Sequence, residues 1–580
     1  MAFRTASNVR MRLAACPNSI RRHLIGLALV TLSGCSGAQR FALRQPMLLD
    51  DDARPFEPAP EEYFSPFAWD GANQMVFRPI ARFFAVDPAG RSVNVNAYDE
   101  VPDSTWFANR LGQHPFTAAE IARGSCAELS LDPNAPDGSW LIDKGKDNGA
   151  NPGFRISVDG LGKFMLKIDP VVEPERATGA TAVASRIYHA VGYHSACDTV
   201  VYIRPSLLRL KPGLTVTNNQ GVTRPLDEHR LTEMLSGASR RDGLIRLVAS
   251  AWLPGAPLGP YRYDGVRSDD PNDVIPHEDR RELRGARLVA AWLNHFDSRE
   301  QNTMDTFIRP NGAKVGPGFV RHYIIDMGDC FGSVWTNDGI SRRLGKSYLF
   351  DAGHIVEDFL TLGTSMRPWE RARRNAGIFN YFSARDFDPE AWRGEYPNPA
   401  FMRMTEGDGA WMARILARFS DELVGAAVKV GRYSPSDEQY LQETLVARRN
   451  AILKRYLAEL SPISDVVVNG DRMCAVDLAR QTGVIPNESV TIRMRLFRGQ
   501  PLQPSLDATL DTTLAPRICA TLRHANIGSN VPADHPTRYV VVDIDNGYAR
   551  GPLRAHLYDE GTATGFRLVG IERPSNHEPP

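Results

Sequence analysis

The sequence predicts an α+β fold, with a mixed strand-and-helix domain over residues 140–462 and a small all-β accessory domain over 463–580. Three observations point there. Short runs between Trp140 and Ile168 read as strands, the last alternating Phe164, Leu166 and Ile168 with Met165 and Lys167. Stretches at 173–191, 278–293 and 400–460 carry apolar residues at spacings of three and four, as helices with one buried face do. After Ser461-Pro462 the pattern returns to short alternating runs, such as Val490 to Leu496 and Tyr539 to Ile544, divided by turn residues.

A chain of 580 residues exceeds the ~250 to 300 at which one hydrophobic core stops growing, so several domains are expected. Its 42% hydrophobic and 23% charged content is that of a soluble globular protein. Lys plus Arg equals Asp plus Glu, 68 against 68, so nothing favours a polyanionic partner, and nucleic-acid binding is disfavoured. The His residues are scattered, with no His-Glu-x-x-His, and no Cys-x-x-Cys is present. The cysteines are too few for a disulfide-stapled scaffold, and Cys474 with Cys519, both in the C-terminal region, is the pair to test for a bridge in an oxidising compartment.

Residues 1–34 read as a signal peptide. Arg10, Arg12, Arg21 and Arg22 precede the apolar run Leu24 to Leu32, too short to span a bilayer. It ends in Leu32-Ser33-Gly34-Cys35, which resembles the lipobox of a bacterial lipoprotein. That resemblance implies export, cleavage before Cys35, acylation of Cys35 and anchoring in the cell envelope, with the outer membrane favoured and the periplasmic or surface face open. Residues 35–75, rich in Pro, Asp, Glu and Ala, read as a flexible tether. Residues 76–139 recover aromatic residues (Phe77, Phe83, Trp106, Phe107) and are expected to pack on the following domain.

Within 140–462 the order of elements places the polar residues. Trp140 to Ile142 is the first strand, and Lys144 to Asn151 is a turn containing Gly145, Lys146 and Gly149. Gly153 follows it, before the second strand, Phe154 to Val158. The third, Phe164 to Ile168, puts Lys167 on the polar side of a half-buried sheet. Glu175 opens the helix 173–191, where an acidic residue also suits the helix dipole. The helix 278–293 runs into Asn294-His295-Phe296-Asp297 and on to Asn302; a strand 303–308, a turn at Pro310-Asn311-Gly312 and a strand 322–325 then deliver Asp326-Met327-Gly328. Asp297, Asn302 and Asp326 also suit loop caps and turn starts.

In the order Lys167, Glu175, Asp297, Asn302, Asp326, the chain resembles the divergent branch of the protein-kinase-like fold that includes HipA-type serine kinases, phosphatidylinositol 3- and 4-kinases and secreted casein-kinase-like enzymes. The resemblance implies a two-lobed domain over 140–462 using Mg²⁺ with ATP or another nucleoside triphosphate, and a protein or envelope hydroxyl as acceptor. Lys167, held by Glu175, would meet the phosphates beside Lys146, Gly149 and Gly153; Asp297 would orient the acceptor hydroxyl; Asn302 and Asp326 would ligate Mg²⁺. The chain departs from the pattern in three places. His295-Phe296-Asp297 lacks an Arg, Met327 follows the metal-binding Asp, and the glycines are spaced Gly145, Gly149, Gly153. A catalytically inactive pseudokinase acting as an envelope scaffold is the alternative. The motifs Asp99 to Asp103, Asp270 to Asp273 and Arg280 to Arg284 look like further signatures of bacterial proteins of this type. Asp269, Asp270 and Asp273 read as a solvated turn rather than a metal site, and Arg371, Arg373 and Arg374 as a solvated helix face.

Overall fold

The three predicted strands form the centre of a seven-stranded sheet, ordered Asp198–Ile203, Leu244–Ala251, Gly162–Ile168, Gly153–Val158, Trp140–Lys146, Leu208–Leu210, with the short Arg240–Arg241 paired to Leu244–Ala251. Residues 41–64, 67–84, 90–126, 131–146, 152–217, 222–332, 345–367, 369, 377–486, 491–511, 516–528 and 530–580 are described in this computed structural model. With 29% helix and 25% strand neither element dominates, and the α+β class holds. One face of the sheet buries Trp140, Ile142, Phe154, Ile156, Phe164 and Leu166 in an apolar core.

The helices follow the apolar stripes with shifted ends. The first begins at Arg176, because Pro174 and the left-handed Glu175 (φ +67°) delay it, and it runs to Val191. The second, Arg281–Leu293, is preceded by a 3₁₀ turn at His277–Asp279 and ends at the left-handed Asn294 (φ +50°). The helical stretch expected over 400–460 is broken, with separate helices at Glu406–Leu416 and Asp421–Lys429, since Ser420 caps the second by accepting from Leu423 N-H. The long helix Pro435–Tyr456 closes this bundle.

In the C-terminal module, residues 463–580, the elements are mostly strands, with a short helix at Leu478–Gln481. It holds a four-stranded sheet (Ile463–Asn469, Arg472–Asp477, Arg517–Leu522, Ala508–Asp511) and a five-stranded one (Gln503–Ser505, Arg493–Arg498, Tyr539–Asp545, Leu553–Asp559, Phe566–Glu572). Leu478, Ala479 and Ile485 enter the same core as the helices, so the module is not a separate bead.

The expected tether is not loose over 41–64. Phe41 N-H donates to Tyr539 Oη (3.0 Å), Asp52 accepts from Thr105 N-H (2.9 Å), and Phe56 exchanges backbone hydrogen bonds with Gly318. A proline-rich segment loses little entropy on ordering, so these few contacts suffice to hold it. The acidic turn is solvated only at Asp269, which is exposed beside Arg267. Asp270 and Asp273 are buried, and Asp273 pairs with His277 (2.7 Å) and Arg280 (3.2 Å).

Candidate functional site

Three adjacent strands bring two lysines together. Lys146 lies opposite Gly153, and Gly153 lies opposite Lys167. Opposed residues in an antiparallel ladder share a face, so the two lysines flank a position with no side chain. Asp326 follows the strand Phe319–Ile324 in the left-handed region (φ +56°), a conformation Asp tolerates better than most. Lys167 Nζ lies 2.5 Å from Asp326 Oδ1; the lysine side chain is 16% exposed and the aspartate 43%, so the carboxylate remains open to solvent. The protein around this partly exposed carboxylate still strips some of its water and so raises its pKa, but Lys167 and Lys146 outweigh that and bring it to about 2. Burial, with the Lys167 charge, brings the Lys146 ammonium down to about 8.

The helix Arg281–Leu293 supplies the second half of the site from its C-terminal end. Leu283, Ala286, Val289, Ala290 and Leu293 are buried, which fixes where the following loop emerges. Asp297 Oδ1 is 2.7 Å from Arg299 Nε; Arg299 also meets Glu395 (2.8 Å), donates to Tyr396 Oη (3.0 Å) and lies over the Tyr396 ring. Asn302 Nδ2 donates to the Asp297 carbonyl (2.8 Å), leaving the amide oxygen as the atom available to a cation. Ile325 N-H donates to the Asn302 carbonyl (2.9 Å), and Thr303 pairs with Ile324, so Asn302 and Asp326 stand at neighbouring strand ends. Asp297 N-H donates to Asp329 Oδ2 (2.9 Å). Burial pushes the carboxyls of both Asp297 and Asp329 well above the usual range, opposed at Asp297 by Arg299 and reinforced at Asp329 by the Asp297 charge. The site thus sets two ammonium groups, suited to a polyanion, beside oxygen ligands suited to a hard cation.

Glu175 does not hold Lys167. Its Oε1 lies 2.5 Å from Arg241 Nη2, and the lysine is taken by Asp326 instead. Asp169, directly after the lysine strand, accepts from Ala177 and Thr178 N-H and so caps the helix that Glu175 was expected to open. Gly145 faces Val216 in the apolar core, away from the face that carries Lys146 and Lys167. Gly149, Cys35, Arg371, Arg373 and Arg374 lie outside the described residues. Asp329, Arg299 and Glu395 were missed. Asp329 could have been found from its place three residues after Asp326, and Arg299 from its place inside the Asp297 to Asn302 loop; Glu395 carries no local signal. A cavity of about 510 Å³ opens elsewhere, at the edge strand Asp198–Ile203 beside Phe164, Arg204 and Arg432, and none of the predicted site residues lines it.

No family model matches the chain, and neither a curated protein nor a solved structure matches it.

Proposed function

We propose that the chain is an Mg²⁺-dependent, nucleotide-using phosphotransferase with a two-lobed kinase-like domain over 140–462, acting on a hydroxyl of a protein or envelope component. The observation that carries this reading is the convergence of Lys146 and Lys167 on the solvent-open carboxylate of Asp326. Asn302 and Asp297 stand beside it.

The lysines would bind the phosphates of the nucleotide, each ammonium meeting oxygen charge that water would otherwise solvate. Asp326 and the Asn302 amide oxygen fit Mg²⁺, which prefers oxygen ligands and keeps several waters. When bound, that ion neutralises charge on the phosphate oxygens. Asp297 orients the acceptor hydroxyl and holds its proton, with Arg299 and Glu395 fixing the carboxylate. Anchoring in the envelope through acylated Cys35 belongs to the same reading, and the disulfides Cys126–Cys197 and Cys474–Cys519 suit an oxidising compartment.

The inactive-scaffold reading has its own support. Lys167 is ion-paired with the very carboxylate that would hold the metal, and Glu175 is turned to Arg241. Thermal stability of the purified protein with ATP, with and without Mg²⁺, separates the two. At 100 times the dissociation constant a ligand stabilises by about 2.7 kcal/mol. The phosphotransferase reading expects that shift to need both Mg²⁺ and Asp326, and to vanish in Asp326→Ala, whose unliganded stability stays within about 1 kcal/mol of the parent. No shift with any nucleoside triphosphate supports the scaffold.

A further inference from the structure

We propose that His295, Asp329 and Cys330 form a binding site for a transition-metal dication of the Zn²⁺ type, distinct from the Mg²⁺ ligands and independent of the phosphotransferase reading. Each of the three places one possible ligand atom close to the other two. His295 is fully buried; its Nδ1 lies 2.9 Å from the Tyr188 hydroxyl, while its Nε2 has no hydrogen-bond partner among the described residues. Asp329 uses Oδ2 to accept the Asp297 N-H (2.9 Å), and among the described residues its Oδ1 has no hydrogen-bond partner. Cys330 is fully buried and outside both disulfides.

One ligand atom from each residue, Cys330 Sγ among them, lies within 4.8 Å of the others, and His295 Nε2 is 3.4 Å from Asp329 Oδ1. Bonds of ~2.0 to 2.3 Å in a tetrahedral shell separate neighbouring ligand atoms by roughly 3.5 Å. The His295 to Asp329 spacing is therefore already that of a ligand pair, and Cys330 Sγ is near enough to supply the third position. Burying polar atoms without partners is costly, and a cation at their centre satisfies both. The donor set decides which cation. Imidazole nitrogen and thiolate sulfur favour Zn²⁺ over Mg²⁺, which takes oxygen. Tyr188 acts as the outer partner that fixes ring orientation in such sites. Binding releases the Cys330 thiol proton and the proton that burial favours on the Asp329 carboxyl, since the ligands are the thiolate and the carboxylate.

Cobalt(II) is the probe. The purified full chain, stripped with a chelator, is titrated with Co²⁺. The site predicts one equivalent bound with a thiolate-to-cobalt absorption band, displaced by Zn²⁺ and not by excess Mg²⁺. The band is absent in Cys330→Ser, and Tyr188→Phe weakens binding about tenfold or more. X-ray absorption on the wild-type cobalt protein reads the ligands without any variant, and one sulfur among nitrogen and oxygen neighbours is expected. A shell without sulfur, a band unchanged in Cys330→Ser, or no binding below millimolar Co²⁺ overturns the proposal.

Discussion

Lys146 and Lys167 are joined through a glycine. Each is the register partner of Gly153, and their charges meet at Asp326. Burial, with Lys167 nearby, has brought Lys146 down to about 8, so in the free protein it begins to lose its proton just above neutrality. A phosphate binds the protonated form and raises that pKa. Nucleotide affinity should therefore fall as pH rises through about 8, by up to tenfold per pH unit, with proton uptake on binding in that range. Calorimetry in two buffers reads both quantities. Lys146→Met should bind more weakly and lose the pH dependence; a variant that keeps the parent's profile would remove Lys146 from the site.

Gly153 is where the strands approach too closely for a side chain. A Cβ there would press into the backbone carbonyl oxygen of Leu166, which cannot swing aside as a side chain can. Gly153→Ala should destabilise by about 1 to 3 kcal/mol, the usual cost of overpacking. It should also weaken nucleotide binding, because the lysine strands must shift. Denaturant midpoints and ATP titration on the same preparation check the two effects, and an unchanged midpoint would mean the gap is open.

Periodicity made the strands around Lys167 and the helix before Asp297 legible, since both depend on one buried face. Partner choice was not legible. Glu175 had the right element but the wrong neighbour, because Arg241 approaches it from a hairpin far along the chain. Asp99, Asp273 and Arg281 stood out as motifs, yet sequence cannot say whether a charged cluster faces water or other charges. Here Arg281 meets Asp99 at 2.6 Å and Arg280 meets Asp273 at 3.2 Å, all of them in largely buried positions. Composition likewise misread 41–64 as a tether, because a few long-range contacts that hold a Pro-rich strap leave no periodic trace.

Cys474 and Cys519 occupy opposed positions of neighbouring strands, as their pairing requires, while Cys126 and Cys197 close a separation of 71 residues that no spacing rule flagged. Closing a loop of that size restricts the unfolded chain, and each bridge should contribute roughly 2 to 4 kcal/mol. The double variant Cys126→Ala/Cys197→Ala should lose about that much stability under oxidising conditions. Added reductant should then lower its denaturation midpoint less than it lowers the parent's, since only the second bridge is left to break. Equal responses to reductant would show that the first bridge carries no stability.

Asp99 ties three distant parts of the chain into one charge network. Its carboxylate meets Arg281 (2.6 Å), Arg414 (3.0 Å) and Arg573 (2.8 Å), the last of these 474 positions away in the C-terminal module. Burial alone would raise its pKa, but the three guanidinium groups outweigh burial and hold it far below the usual carboxylate range. A folded pKa below the unfolded one means that this stabilisation is present above about pH 4 and is lost as pH falls further toward the folded value. Asp99 also adopts φ +59°, which Asn tolerates, so Asp99→Asn tests the charge without straining the backbone. Removing one partner of a buried ionic cluster costs about 3 to 5 kcal/mol, because the remaining charges are left uncompensated. Asp99→Asn should therefore unfold at markedly lower denaturant near neutral pH, and its disadvantage should shrink as pH drops below about 4, where the parent loses the same carboxylate. A constant gap between the two proteins across that acid range would show that the cluster acts through packing and not through charge.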